Sequence, residues 1–242
     1  MKNRFFTPRM KMADLIAANH TLLLVLPRFG IHLGFGEQSV QEICDRYHLN
    51  VDFVLMIFNV YTFHDYLPDE DTFANTDLRP LVPYLLSSHR YYLNERLPHI
   101  ERHLANVAAH AGERYGAILH QFFADYKSEV QDHFAFEEQQ VFPILCQADG
   151  PTAGAQVGDR AGETDHFADN HSDLIDKLLD LTQIVYKYIP GDSMTEELNE
   201  LVFGIMQLSS DLEKHAILEE KVLIPYMNQI LNANASRHEA QD

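Results

Sequence analysis

His133-Phe134-Ala135-Phe136-Glu137-Glu138, running on to Pro143, returns 82 residues later as His215-Ala216-Ile217-Leu218-Glu219-Glu220, running on to Pro225. In a helix, residues four apart lie one above the other on the same face, so each His and the first Glu after it can address one point in space. The same offset of 82 separates His89 from His171, each standing 44 residues ahead of its His-x3-Glu pair. A lone His and Glu four apart is an ordinary solvated pair on a helix face. Four correspondences sharing one offset (His89 with His171, His133 with His215, Glu137 with Glu219, Pro143 with Pro225) read instead as a duplicated helical hairpin.

Neutral imidazole and carboxylate are borderline to hard ligands, suited to iron, manganese or zinc, and a carboxylate can bridge two ions where an imidazole ordinarily binds one. Four helices that each point a His inward, two of them adding a Glu one turn later, describe a dinuclear site inside a four-helix bundle. The candidate ligands are His89, His133, Glu137, His171, His215 and Glu219. The ferritin-like carboxylate proteins use Glu-x-x-His at a three-residue step. This chain uses His-x-x-x-Glu at four, which sets it apart from them.

The 242 residues, 46% of them hydrophobic, suffice to bury a sizeable core. With 18 Lys plus Arg against 36 Asp plus Glu the formal charge is −18, which repels a phosphate backbone and an anionic membrane surface. Neither nucleic acid nor membrane is an expected partner. Two cysteines, Cys44 and Cys146, form neither a Cys-x-x-Cys motif nor a disulfide framework and fit a reducing compartment. The basic start and the apolar run Leu22-Leu23-Leu24-Val25-Leu26 raise the question of a signal peptide, but the run is only five long and polar residues precede it. It reads as a core helix, and the expected location is cytoplasmic.

Residues 1–72 read as a small helical domain. Leu22–Leu26 is a buried helix ended by Pro27 and Gly30; Ser39 with Glu42 three residues on is a capping box; Val51–Phe63 is a mostly apolar helix. Residues 76–234 read as four long helices in up-down-up-down order, all-α throughout. The first carries His89 and is expected to kink at Pro98, and the second runs from about Glu113 to Cys146. The glycine-rich stretch 149–158 joins the repeats, the third helix runs from about Glu163 to Tyr188, and the fourth is capped by Ser193 or Thr195. From Asn232 onward the sequence is a polar tail. Acceptors for the outer imidazole nitrogens are required, but the sequence does not identify them.

The ladder His89, His133-x3-Glu137, His171, His215-x3-Glu219 resembles the hemerythrin-like (HHE) cation-binding domain, and the whole chain resembles the RIC family of di-iron proteins for repair of iron centres. Asp132-His133-Phe134-Ala135-Phe136-Glu137-Glu138 with Val141-Phe142-Pro143 is similar to that family's second-helix signature, His215 to Pro225 to its fourth, Asn170-His171-Ser172-Asp173 to its third, and His89-Arg90 with Leu97-Pro98 to its first. The resemblance implies two non-haem iron ions, oxo- or hydroxo-bridged when oxidised, with the four histidines as terminal ligands and Glu137 and Glu219 as bridges. It further implies a role in nitrosative and oxidative stress defence, with damaged iron-sulfur cluster proteins and the gases nitric oxide and oxygen as partners. The alternative is a di-iron oxygen or nitric oxide sensor.

Oxygen-carrying hemerythrins differ in having two histidines four apart on the third helix; here Phe167 stands four before His171. Residues Asp14 to Cys44 resemble the short N-terminal domain of RIC proteins, but Gly34 and Phe35 stand where that domain has its adjacent cysteine pair. Cys44 reads as a buried structural residue. His110, 21 residues beyond His89, is too far along a continuous helix to join the same centre, and His20, His32, His48, His64, His99, His103 and His120 read as surface or core residues. Tyr91, Tyr92, Tyr126 and Tyr186 read as packing residues.

Overall fold

The computed structural model describes residues 5–143, 163–190 and 194–230, with the side chains of 70, 71, 74 and 163–170 excepted. Cys146, the connection at 149–158, Ser193 and the tail from Asn232 lie outside the described residues. Within them the chain is all-helical; the one β-type contact is an isolated antiparallel bridge between Lys11 and Ser39. No described helix is long and apolar enough to cross a membrane.

The chain divides into two compact units, one of Met1–Ser88 with Ile217–Tyr226, the other of His89–Ala216 with Met227–Asp242. In the first unit, helix α1 (Met12–Ala18) is followed by α2 (Leu22–Val25), which tightens into a 3-10 turn at Leu26–Phe29. Gly30 closes that turn at φ 70°, a left-handed conformation that glycine adopts without the Cβ penalty. Helix α3 (Val40–Tyr47) opens with the expected capping box: Ser39 accepts from the Glu42 backbone N–H while Glu42 accepts from the Ser39 N–H at 2.7 Å. Asn50 caps α4 (Val51–Thr62) by accepting from the Phe53 N–H at 2.9 Å. Residues Phe53 to Tyr61 are all buried, so α4 is the central helix of this unit. Phe29, Phe53, Phe58 and Tyr84 meet around it, edge-on or tilted. Arg28, buried among them, donates to the Tyr61 hydroxyl at 2.7 Å. Asp69 caps the short helix α5 (Glu70–Asn75), and helix α6 (Leu81–Tyr91) follows.

The second unit is built from α7 (Leu97–His110), α8 (Glu113–Phe136), α9 (Glu163–Tyr188) and α10 (Thr195–Leu218). Thr195 is the first helical residue of α10 rather than its cap. All four helices contribute to one apolar core that includes Ile100, Leu104, Phe123, Tyr126, Leu178, Leu181, Leu201 and Leu208. Only Ala111 and Gly112 separate α7 from α8, and Gly112, at φ 82°, makes the reversal. The two helices approach closely just beyond it: a Cβ built on Gly116 would lie 2.7 Å from the Ala108 carbonyl oxygen.

Among the described residues, three helical stretches widen into π turns, Tyr92–Arg96, Glu137–Val141 and Glu219–Leu223. Each begins six residues before a proline: Pro98, Pro143 and Pro225. In each the residue before the proline reaches five back, Leu97 to the Tyr92 carbonyl, Phe142 to Glu137, Ile224 to Glu219. Proline lacks the N–H and its ring crowds the carbonyl one turn back; a wider preceding turn makes room for it without ending the helix. At Pro98, where the sequence predicts a kink, the structure has such a widened turn just ahead of the proline.

Candidate metal centre

Helix α6 delivers His89, α8 delivers His133 and, at the first residue of its π turn, Glu137; α9 delivers His171 and α10 His215. Phe134, Val130 and Tyr126 fix the buried stripe of α8, which places His133 and Glu137 toward the interior. His89, Glu137, His171 and His215 are buried, and the His133 side chain is 7% exposed.

These residues form two groups that share one carboxylate. In the first, His89, Glu137 and His215 each offer a ligand atom, all within 4.8 Å of one another; in the second, His133, Glu137 and His171 do the same. The two oxygens of Glu137 divide between them. Oε2 lies 3.2 Å from His89 Nε2, whereas Oε1 lies 3.0 Å from His133 Nε2 and 3.4 Å from His171 Nε2. One carboxylate therefore faces two ligand sets on opposite edges, the arrangement a bridging ligand requires.

His89 Nε2 and His215 Nε2 are 3.0 Å apart. The outer nitrogen of His89 lies 3.0 Å from Glu138 Oε1, so Nδ1–H donates to that carboxylate and the Nε2 lone pair points inward, at Glu137 and His215. Converging lone pairs and a buried carboxylate are what a cation offsets, and the donor set of imidazole nitrogen and carboxylate oxygen fits iron, manganese or zinc. Two aromatic rings hold His89 in plane: Phe134 stacks on it at 3.9 Å and 8°, and Phe142 lies 5.6 Å away at 24°. Tyr92 meets His215 edge-on at 5.5 Å, its hydroxyl donating to Asp211 Oδ1 at 3.0 Å.

Glu219 is fully buried and stands one turn beyond His215 on the continuing helix, at the first residue of the third π turn, in the position Glu137 holds relative to His133. A small cavity lined by His133, Phe134, His171, Leu174, Ile175, Leu212 and His215 opens beside the second group, with room for roughly one water-sized molecule.

The sequence missed Glu138 and Asp211. Both carried a signal, since Glu138 shares the offset of 82 with Glu220, and Asp211 shares it with Glu129. His110 is exposed at the end of α7, its Nδ1 donating to the Asn106 carbonyl, and takes no part in either group. Of the four tyrosines, Tyr92 and Tyr126 are buried, whereas Tyr186 is exposed. Cys44 is fully buried, its thiol pushed up to about 12 by desolvation and by the nearby Asp45 and Asp52. Phe35 is buried and Gly34 has φ 104°. The side chains of His166 and Phe167 lie outside the described residues.

Residues 82–202 match the family model described as Hemerythrin HHE cation binding domain. The matched span covers His89, His133, Glu137 and His171 and ends before His215 and Glu219. No curated protein matches the sequence.

Proposed function

We propose, from the premise that this chain belongs to the hemerythrin HHE cation-binding family, that it holds two non-haem iron ions and serves defence against nitrosative and oxidative stress, returning iron to damaged iron-sulfur clusters or reacting with nitric oxide. The observation that carries the reading is Glu137, whose two oxygens face separate histidine sets. His89 and His215 would hold one ion, His133 and His171 the other, with Glu137 between them and Glu219 as the second bridge.

Iron bound there supplies one-electron chemistry and open positions for a diatomic ligand. The protein's own part is orientation and exclusion. Glu138 holds the His89 ring in the tautomer that turns Nε2 inward, Phe134 and Phe142 fix its plane, and Leu174, Ile175 and Leu212 keep the space beside His133 and His171 narrow and apolar on one side. The ligand this reading assigns to the centre is a diatomic gas, nitric oxide or oxygen. Neither Gly34 nor Phe35 offers a thiol and Cys44 is buried, so the reading assigns no thiol exchange to the N-terminal residues. The proposed setting is the cytoplasm, with damaged iron-sulfur proteins as partners.

The same narrow cavity supports a second reading, a gas sensor. Nitric oxide consumption beyond one equivalent per centre separates the two, since a sensor binds and stops. The central test is metal content per chain after purification without oxygen or chelator, in the wild type and in Glu137→Gln. About two irons in the wild type and a clear loss in the variant support the reading. Zinc alone refutes the iron reading, and full iron loading in the variant refutes the bridging role.

A further inference from the structure

Ten residues beyond His89, α7 presents His99 and His103 on one side, four apart, with ring centroids 4.6 Å from each other. At about 1.5 Å per residue the pair lies roughly 15 Å along the helical run from His89, so it cannot share an ion with the buried centre. Glu200, in the second turn of α10, completes the group: one ring nitrogen from each His and one carboxylate oxygen lie within 4.8 Å of one another. We propose that His99, His103 and Glu200 form a second, mononuclear site for a divalent transition-metal ion, held by two imidazoles and one carboxylate with its remaining positions open to water.

Three observations carry the assignment. The donor set is one that zinc, copper, nickel and iron(II) accept, and it lacks the all-oxygen character that calcium or magnesium needs. His103 Nδ1 is buried without a hydrogen-bond partner among the described residues, a ring nitrogen of the kind folded proteins seldom leave unsatisfied.

The group is also held in place rather than brought together by flexible side chains alone. Arg96 Nη2 donates to the Gly204 carbonyl at 3.1 Å, tying the start of α7 to α10 one turn beyond Glu200. At Gly204 an added Cβ would touch Ile100 Cγ1 at 3.4 Å and His99 Cδ2 at 3.9 Å. The helices therefore approach closely beside the histidine pair.

A competitor exists in Arg102, whose Nη2 lies 3.1 Å from His99 Nδ1, but this arginine is exposed and such surface contacts contribute little. Burial, then the neighbouring His103, Arg96 and Arg102, hold the His99 pKa below its ordinary value against the opposing pull of Glu200.

The test uses the full-length protein with the metals of its buried centre counted first. Zn2+ is then titrated against a competing chelator, and Co2+ is titrated separately, its visible absorption reporting nitrogen and oxygen coordination. The wild type is expected to take up one further Zn2+ per chain without losing the ions already counted. His99→Asn and His103→Asn are each expected to weaken that uptake by about tenfold or more, and Glu200→Gln by less, while the buried metal count and helical content stay unchanged. Absence of a further equivalent in the wild type overturns the assignment. So does a further equivalent that survives in the His99→Asn/His103→Asn double variant, including zinc that enters only as iron leaves.

Discussion

Glu138 is a sharp probe of the centre, because it touches a ligand without being one. Its Oε1 accepts the Nδ1–H of His89 at 3.0 Å, and its side chain is 40% exposed. Outer carboxylates of this kind ordinarily contribute about 10- to 100-fold to metal affinity. Solvent screening at Glu138 argues for the lower end, so Glu138→Ala is expected to weaken metal binding by about tenfold, near 1.4 kcal/mol. Glu138→Gln, whose amide oxygen still accepts, is expected to lose less. Without metal the same exposed residue contributes within about 0.5 kcal/mol of stability. The assay is a pair of denaturant titrations, metal-free and metal-loaded, with iron(II) affinity measured by chelator competition under nitrogen. The loaded protein should lose stability in Glu138→Ala while the metal-free protein barely changes. Equal losses in both states would refute the reasoning, since Glu138 would then be a structural contact and not a tuner of His89.

Three further outcomes follow from the packing. Gly116→Ala places a methyl group 2.7 Å from the Ala108 backbone oxygen, which cannot move aside as a side-chain tip does; overpacking of about 1–3 kcal/mol exceeds the helix-propensity gain of about 1 kcal/mol, so thermal melts should show a fall of a few degrees. Ser39→Ala should cost about 1 kcal/mol in urea unfolding through loss of the α3 cap. Bonds from Ser39 hold the Glu42 pKa below its ordinary 4.5, so this carboxylate's stabilisation is present above that pH and disappears as pH falls through the lower folded value; the variant should show a weaker acid dependence there. Cys44, buried and with its thiol near pKa 12, should resist iodoacetamide at pH 8 in the native protein and react once unfolded, as read by mass spectrometry of its peptide.

What was legible in the sequence was what local periodicity encodes. The His-x3-Glu step needs only helical register, and the Ser39–Glu42 cap needs only four consecutive residues, so both were readable without tertiary knowledge. What lay hidden depends on neighbours distant in the chain. Glu138 is an ordinary surface glutamate until α6 brings His89 to it across 49 positions. His99 and His103 read as surface or core histidines because Glu200 stands about a hundred residues away. The close approach at Gly116 was equally invisible, since nothing in a helical stretch says that a facing carbonyl will occupy the space of a Cβ. In each case spacing supplied one partner and packing the other.

The prolines tie these levels together. Phe134 and Phe142 are eight residues apart, which on a regular helix at 100° per residue leaves them roughly 80° apart around the axis. Both nevertheless lie against the same ring, His89, at 3.9 and 5.6 Å. The π turn at Glu137–Val141 resolves the mismatch, because it absorbs one extra residue and brings the two aromatics to within roughly 20° of one face. The turn stands where it does because Pro143 follows six residues after its start, and the N–H of Phe142 closes it on the Glu137 carbonyl. One proline thus sets the phase of the helix beyond the ligand pair, and through it the packing of a histidine on another helix. The second repeat carries the same device, with Glu219 opening the turn and Pro225 six residues on. The 82-residue repeat therefore conserves a backbone irregularity along with its ligands, which explains why the proline belongs to the motif although it binds nothing.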